Sequence, residues 1–144
     1  MAFAPDHVVV VVGSLAEATR AFAAAGFTVT PGGQHDALPS ENALVAFADG
    51  AYLELLALRE SGARAGLREA AAGPGWERHL AGLSAVARRF LPVLAGADGV
   101  RDFALRGGDL PAFAARARRA GVAVAGPVAM ERERPDGVRL AWTL

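Results

Sequence analysis

The chain has 144 residues, enough for one domain with a real core. Fifteen basic and 15 acidic residues cancel to a net charge of +0, so nothing marks an electrostatic footprint for nucleic acid. Cysteine is absent, which excludes disulfides, thiolate nucleophiles and Cys-based zinc sites and leaves His, Asp, Glu or water to hold any metal.

Hydrophobic residues make up 53% of the chain and the mean hydropathy is +0.27, so large faces must be buried. Every basic residue is Arg, a coding bias that assigns no function. Met1 to Asp6 has no basic start followed by an apolar stretch. The run Val8 to Val12 is far too short for a signal core or a membrane span. These features point to a soluble, cytoplasmic protein.

In chain order, His7 to Val12 is a β-branched run expected to form a strand buried on both faces. Ser14, with Glu17 three residues on, forms a capping box for a helix carrying Leu15, Ala18, Phe22 and Ala25 at helical spacing. Gly26 stops that helix. Phe27, Val29 and Pro31 read as a second strand, Gly32 to Glu41 as a loop, and Ala43 to Ala48 as a third strand. Asp49-Gly50 is a tight hairpin signal leading into a fourth strand, Ala51 to Leu56. The order is β-α-β-β-β.

Arg59 to Gly73 reads as a linker of weak helical character. Trp76 to Leu94 is a helical stretch with a break expected at Pro92. From Val100 the opening pattern returns at an offset of 95 residues: Ser14 falls on Asp109, Leu15 on Leu110, Gly26 on Gly121 and Val29 on Val124. Asp109 takes over the capping role, with Pro111 just inside the helix. A strand around Ala125 to Glu131 turns at Asp136-Gly137 into Val138 to Leu144. The chain therefore divides into a first unit over 6–57, a linker helix region over 58–99 and a second unit over 100–144. The same offset carries Glu54 to position 149, past Leu144, so the second unit is expected to lack its last strand. An open sheet edge follows, and pairing with a second protomer is its physical remedy.

Several short motifs sit on this frame: Asp6-His7 before the Val-rich strand, Gly26-Phe27, Gly32-Gly33-Gln34-His35, Asn42 and Tyr52-Leu53-Glu54-Leu55. Later come Arg134-Pro135-Asp136-Gly137 and Leu140-Ala141-Trp142-Thr143-Leu144. Together they resemble the glyoxalase-like domain family of the vicinal oxygen chelate superfamily, which includes glyoxalases, extradiol dioxygenases and bleomycin-resistance proteins. The loop Asp36 to Glu41 departs from the family, as does the missing final strand. The resemblance implies an α+β fold of tandem βαβββ units, forming curved mixed sheets around a cavity.

It also implies metal ligands from the first and fourth strands of each unit. His7 and Glu54 would be the first unit's pair, and Asp102, offset from His7, a third ligand. An imidazole with carboxylates suits Fe, Mn, Ni, Zn or Co. His35 and Glu54 are candidates to move a proton. Asn42, Tyr52 and Trp142 are candidates to contact a ligand. The implied activity is a lyase, isomerase or dioxygenase reaction on a small oxygenated molecule. A metal-free binding or resistance protein is the alternative, and ordinary structural roles stand beside each residue: a salt bridge for Glu54, an exposed loop for His35, core packing for Trp142. His79 beside Trp76 reads as structural. No Walker A loop, Gly-x-Gly-x-x-Gly turn, nucleophile elbow or His-Glu-x-x-His motif is present.

Overall fold

A computed structural model describes residues 3–35, 38–60, 62–133 and 136–144. Asp36 and Ala37 of the loop after His35, Arg134 and Pro135 of the Arg-Pro-Asp-Gly motif, and Met1, Ala2 and Ser61 lie outside the described residues. The elements are β1 (Ala4–Val11), α1 (Leu15–Ala24), β2 (Thr30–Gln34), β3 (Ser40–Ala46), β4 (Tyr52–Leu58), α2 (Ala63–Ala72), α3 (Trp76–Ala81), α4 (Ala85–Ala95), β5 (Gly99–Arg106), α5 (Leu110–Arg119), β6 (Ala129–Glu133) and β7 (Arg139–Thr143).

Local chemistry sets most boundaries. Ser14 Oγ accepts the Glu17 N–H and Asp109 Oδ1 accepts the Ala112 N–H, so both expected caps form. Gly26 ends α1 at φ 94°, and the Phe27 N–H closes back onto the Phe22 carbonyl. Other expectations are corrected. The second strand starts at Thr30 and runs to Gln34, with Thr30, Pro31, Gly33 and Gln34 paired to β3 and Gly32 bulged between them. The third strand is Ser40–Ala46, not Ala43 to Ala48. Within the expected linker, Ala63–Ala72 is helical. The break expected at Pro92 falls instead at Gly82, where α3 stops and Ser84 caps α4; Pro92 lies inside α4. The strand expected from Ala125 is confined to Ala129–Glu133.

Five strands form one curved, unclosed mixed sheet in the order β2-β3-β4-β1-β5, and β6 and β7 form a separate two-stranded sheet. β1 runs parallel to β4 and antiparallel to β5. The 95-residue offset recurs in the fold. β5 begins and ends 95 residues after β1, and α5 does so after α1. The pairing of β1 with β5 respects that offset. His7↔Ala104 has its mate in Val9↔Asp102, Pro5↔Leu105 in Val10↔Val100, and Ala4↔Arg106 in Val11↔Gly99, while Val8↔Phe103 is its own mate. A local twofold axis therefore passes through the sheet beside Val8 and Phe103.

Each face of the sheet is covered differently. On one, Leu15, Ala18 and Phe22 of α1 pack over Ala43, Val45 and Leu55. On the other, Ala87 and Leu94 of α4 meet Val9, Val11 and Leu56, with Leu67, Leu83 and Phe90 around them. Residues directly opposite in neighbouring strands share a face. The second face therefore also carries His7, Tyr52, Glu54, Asn42 and Asp102 beyond the helices.

Arg64 of α2 fastens the helices at one end. It donates to the carbonyls of Leu94 and Gly96 and pairs with Asp98, which also accepts the Gly13 N–H at 3.1 Å. Burial alone would raise the Asp98 carboxyl, but the Arg64 and Gly13 hydrogen bonds outweigh it and hold it below the usual carboxylate range. The second half is less well covered. Val100, Phe103 and Leu105 of β5, and Trp142 and Leu144 at the end of the chain, stay exposed, Phe103 to 63%. Among the described residues no helix is long and apolar enough to cross a membrane.

Candidate functional site

His7 and Asp6 are neighbours in a strand, so alternation alone would point them to opposite faces. The β1–β5 register shifts between Pro5 and His7, leaving Asp6 without a partner on β5. That bulge lets the Asp6 carboxylate reach His7 Nδ1 at 2.8 Å. A carboxylate at Nδ1 orients the ring and leaves Nε2 facing away from Asp6. Nε2 faces Glu54 Oε2 at 3.5 Å. The Tyr52 ring stacks on the imidazole at 4.6 Å, holding its plane.

The other oxygen of Glu54 is held as well. Asn42 Nδ2 donates to Glu54 Oε1 at 2.5 Å. The Asn42 side chain comes from the adjacent strand, one step along from Leu44, which stands opposite Glu54. It is buried, and it lies against Gly32: a Cβ there would stand 2.1 Å from Asn42 Oδ1. The Gly-Gly pair thus seats Asn42, which seats Glu54. Sequence reasoning made Asn42 a candidate to contact a ligand; the structure sets its amide against Glu54.

His35 follows β2 directly. Its N–H donates to the Ser40 carbonyl, and its Nδ1 lies 2.9 Å from Ser40 Oγ. Ser40 and Asn42 share a face of β3, so His35 approaches the same face farther along. Asp102 shares the face but is engaged. Arg89 of α4 grips both its oxygens, at 2.9 and 2.7 Å, and the Phe103 N–H donates to Oδ1. Trp142 is on β7, in the two-stranded sheet, opposite Met130, and lines a shallow depression of about 530 Å³ there. It belongs to a different sheet from His7 and Glu54. A second depression, about 490 Å³, lies between α1 and the β2–β3 edge among Leu15, Thr19, Val29 and Ala43, residues of the opposite face. His79 stacks on Trp76, in keeping with a structural role.

Among the described residues no three His, Asp or Glu side chains gather into a metal-holding group. His7 and Glu54 do fit as two members of one. Two ligands bound to one ion at about 2.0–2.1 Å stand about 3.0–3.4 Å apart, close to the spacing of Nε2 and Oε2. Each is oriented by an outer partner, Asp6 or Asn42, as metal ligands are. Sequence reasoning quoted Asp6 and Gly32 without giving either a role, and it missed Ser40 and Arg89. The signal for Asp6 was its adjacency to His7; the others emerge only from strand register and helix placement.

A bulged strand presenting a histidine, a parallel neighbour presenting an acid, and a repeat of strand and helix about a local axis define a glyoxalase-like class of fold. The chain belongs to the glyoxalase-like domain family, whose model matches residues 6–144. No curated protein matches it by sequence. Among solved structures it is similar to a hypothetical protein from Staphylococcus aureus, with TM-score 0.72 and 20% identity over 99% of this chain. The chain spans about half of that protein, 51%. It is also similar to a single-substitution variant of Streptomyces coelicolor methylmalonyl-CoA epimerase in complex with 2-nitronate-propionyl-CoA, with TM-score 0.54 and 20% identity over 98% of this chain and 84% of the other. A hypothetical protein, BH1468, from Bacillus halodurans C-125 aligns with TM-score 0.54 and 10% identity over 100% and 86%. At such identities the likeness is one of fold.

Proposed function

We propose that the His7–Glu54 face is half of a divalent-metal site serving an enzyme reaction on a small oxygenated molecule. One observation carries this reading. His7 Nε2 and Glu54 Oε2 stand 3.5 Å apart on one sheet face, while the other polar atom of each is engaged, Nδ1 by Asp6 and Oε1 by Asn42, a spacing at which both can bind one cation. His7 Nε2 and Glu54 Oε2 would hold the ion. A bound divalent ion supplies Lewis-acid stabilisation of an enolate-like or other oxyanionic state. Asp6 and Asn42 would fix the two ligands, Tyr52 would pack on the imidazole, and His35, beside Ser40, would move a proton. Asp102 is not part of this set, because its oxygens are taken by Arg89. The epimerase neighbour, crystallised with an acyl-CoA analogue, supports a small-molecule role for this fold without fixing the substrate here.

Elemental analysis and calorimetric titration with Mn, Ni, Zn and Co test the proposal. The wild-type protein is expected to bind one equivalent, with His7→Ala and Glu54→Ala each losing at least about a hundredfold in affinity, roughly 2.7 kcal/mol. Equal binding by all three proteins would refute the site. The engagement of Asp102 favours a second reading, a metal-free binder of small molecules; absence of uptake by folded wild-type protein would select it.

The uncovered side chains of β5 and the last residues favour a homodimer, with the outer edge of β5 in the interface. Light scattering behind size-exclusion chromatography is expected to give twice the chain mass, and Phe103→Lys to halve it. A wild-type monomer at high protein concentration would remove this proposal.

A further inference from the structure

The half-turn that relates β1 to β5 keeps each face of the sheet and exchanges its two sides. β4 lies beside β1 and parallel to it, on the side away from β5. The half-turn carries that place to the outer side of β5. A strand there would run parallel to β5 and meet it as β4 meets β1. Among the described residues no strand does so, and β5 is the last strand of its sheet. The hairpins point to the same place. β2 and β3 reach the large sheet only through β4, whereas β6 and β7, which follow α5 as β2 and β3 follow α1, form a sheet of their own. Without β4 the first half would be split in the same way.

The edge is accessible. Val100, Phe103 and Leu105 are 68%, 63% and 51% exposed. Val100 and Phe103 stand opposite Val10 and Val8, on the face where α1 packs over the first half. β1 is the one element that β5 touches extensively, and β6 the one that β7 touches. An open strand edge offers a row of main-chain donors and acceptors, and apolar side chains beside it add burial to any strand that pairs there.

We propose that β5 and β7 together accept one added strand from another polypeptide, parallel to β5, antiparallel to β7 and patterned like β4. The first half supplies the specification. β4 is seven residues long, pairs parallel with β1 and antiparallel with β3, and turns Leu53 and Leu55 toward the side covered by α1. The added segment is therefore extended, about that length, and carries large apolar residues at alternate positions. Main-chain bonds along both of its edges supply affinity, and the alternate side chains supply selectivity. The inference rests on the same open edge as the proposed homodimer and names a competitor for it, since a second copy and an added strand cannot both take the outer edge of β5.

The test adds a synthetic peptide with the sequence of β4, Tyr52–Leu58, flanked by lysines for solubility, to the wild-type protein. Two-dimensional NMR is expected to show saturable binding of one equivalent, with amide shifts concentrated on β5 and β7. Light scattering should then give one chain plus one peptide. The same peptide carrying Leu55→Pro lacks an N–H that an interior strand must donate, and its affinity should fall about tenfold or more. The comparison lies between peptides, so it does not depend on a protein variant folding. A monomer before peptide is added removes the homodimer alone, because the peptide titration still decides the acceptor. Absence of saturable binding, equal binding of the proline peptide, or shifts confined to the open edge of β2 overturns the proposal.

Discussion

Gly32→Ala is expected to damage the site more than its size suggests. The new methyl carbon would stand 2.1 Å from Asn42 Oδ1 and 2.8 Å from its Cγ, so the buried amide must move. Overpacking of this kind costs about 1–3 kcal/mol. The displaced amide would also release Glu54 Oε1, and loss of an outer-sphere partner of a ligand typically weakens metal binding by about 10–100-fold. Asn42→Ala in the wild-type background should reproduce the affinity loss without the steric strain. Thermal melts and metal titrations of both variants separate the two effects. Gly32→Ala protein with wild-type melting temperature and wild-type metal affinity would show that Asn42 does not depend on this contact.

Leu94→Ala is expected to have the largest effect on stability. Leu94 is fully buried where α4 meets Val9, Val11 and Leu56. Removing a leucine side chain from such a position costs about 2–5 kcal/mol, depending on how far the cavity collapses. That corresponds to a fall in melting temperature of roughly 10 °C. Because α4 also carries Arg89, the loss should extend to the Asp102 clamp and appear as faster amide exchange at Phe103, whose N–H bonds to Asp102. Denaturant unfolding measures the first effect and hydrogen exchange the second. A change below about 1 kcal/mol would mean that α4 is held by Arg64 rather than by its apolar face.

Much of this architecture was legible from local signals. The Val8 to Val12 run, the Ser14 and Asp109 caps and Gly26 each act within a few residues, and the 95-residue offset compared the chain with itself. Where pairing decides, local signals failed. Gly32 and Gly33 look like loop residues, yet they lie in a strand: Gly33 pairs with Asn42, and Gly32, at a bulge, leaves the space that the Asn42 side chain fills. Pro92 looked like a break, but the stop at Gly82 and the Ser84 cap set the helix ends before it. His7 and Glu54 were paired through the family resemblance; alternation alone placed only Tyr52, Glu54 and Leu56 on one face. Asp6 was hidden because a bulge overrode that alternation, and the partner of Asp102 because it comes from a helix 13 residues back in the chain.

The self-matching register of β1 against β5 bears on binding direction. A half-turn about the line beside Val8 and Phe103 carries the position of His7 onto that of Asp102. An unmarked cleft on this line would accept an elongated guest in two opposed poses of equal energy. Here one flank offers an imidazole beside a carboxylate and the other an acid already gripped by a guanidinium, so the poses differ. Inherited symmetry supplies the frame, and its breaking at that one pair of positions would let the protein tell one end of a molecule from the other.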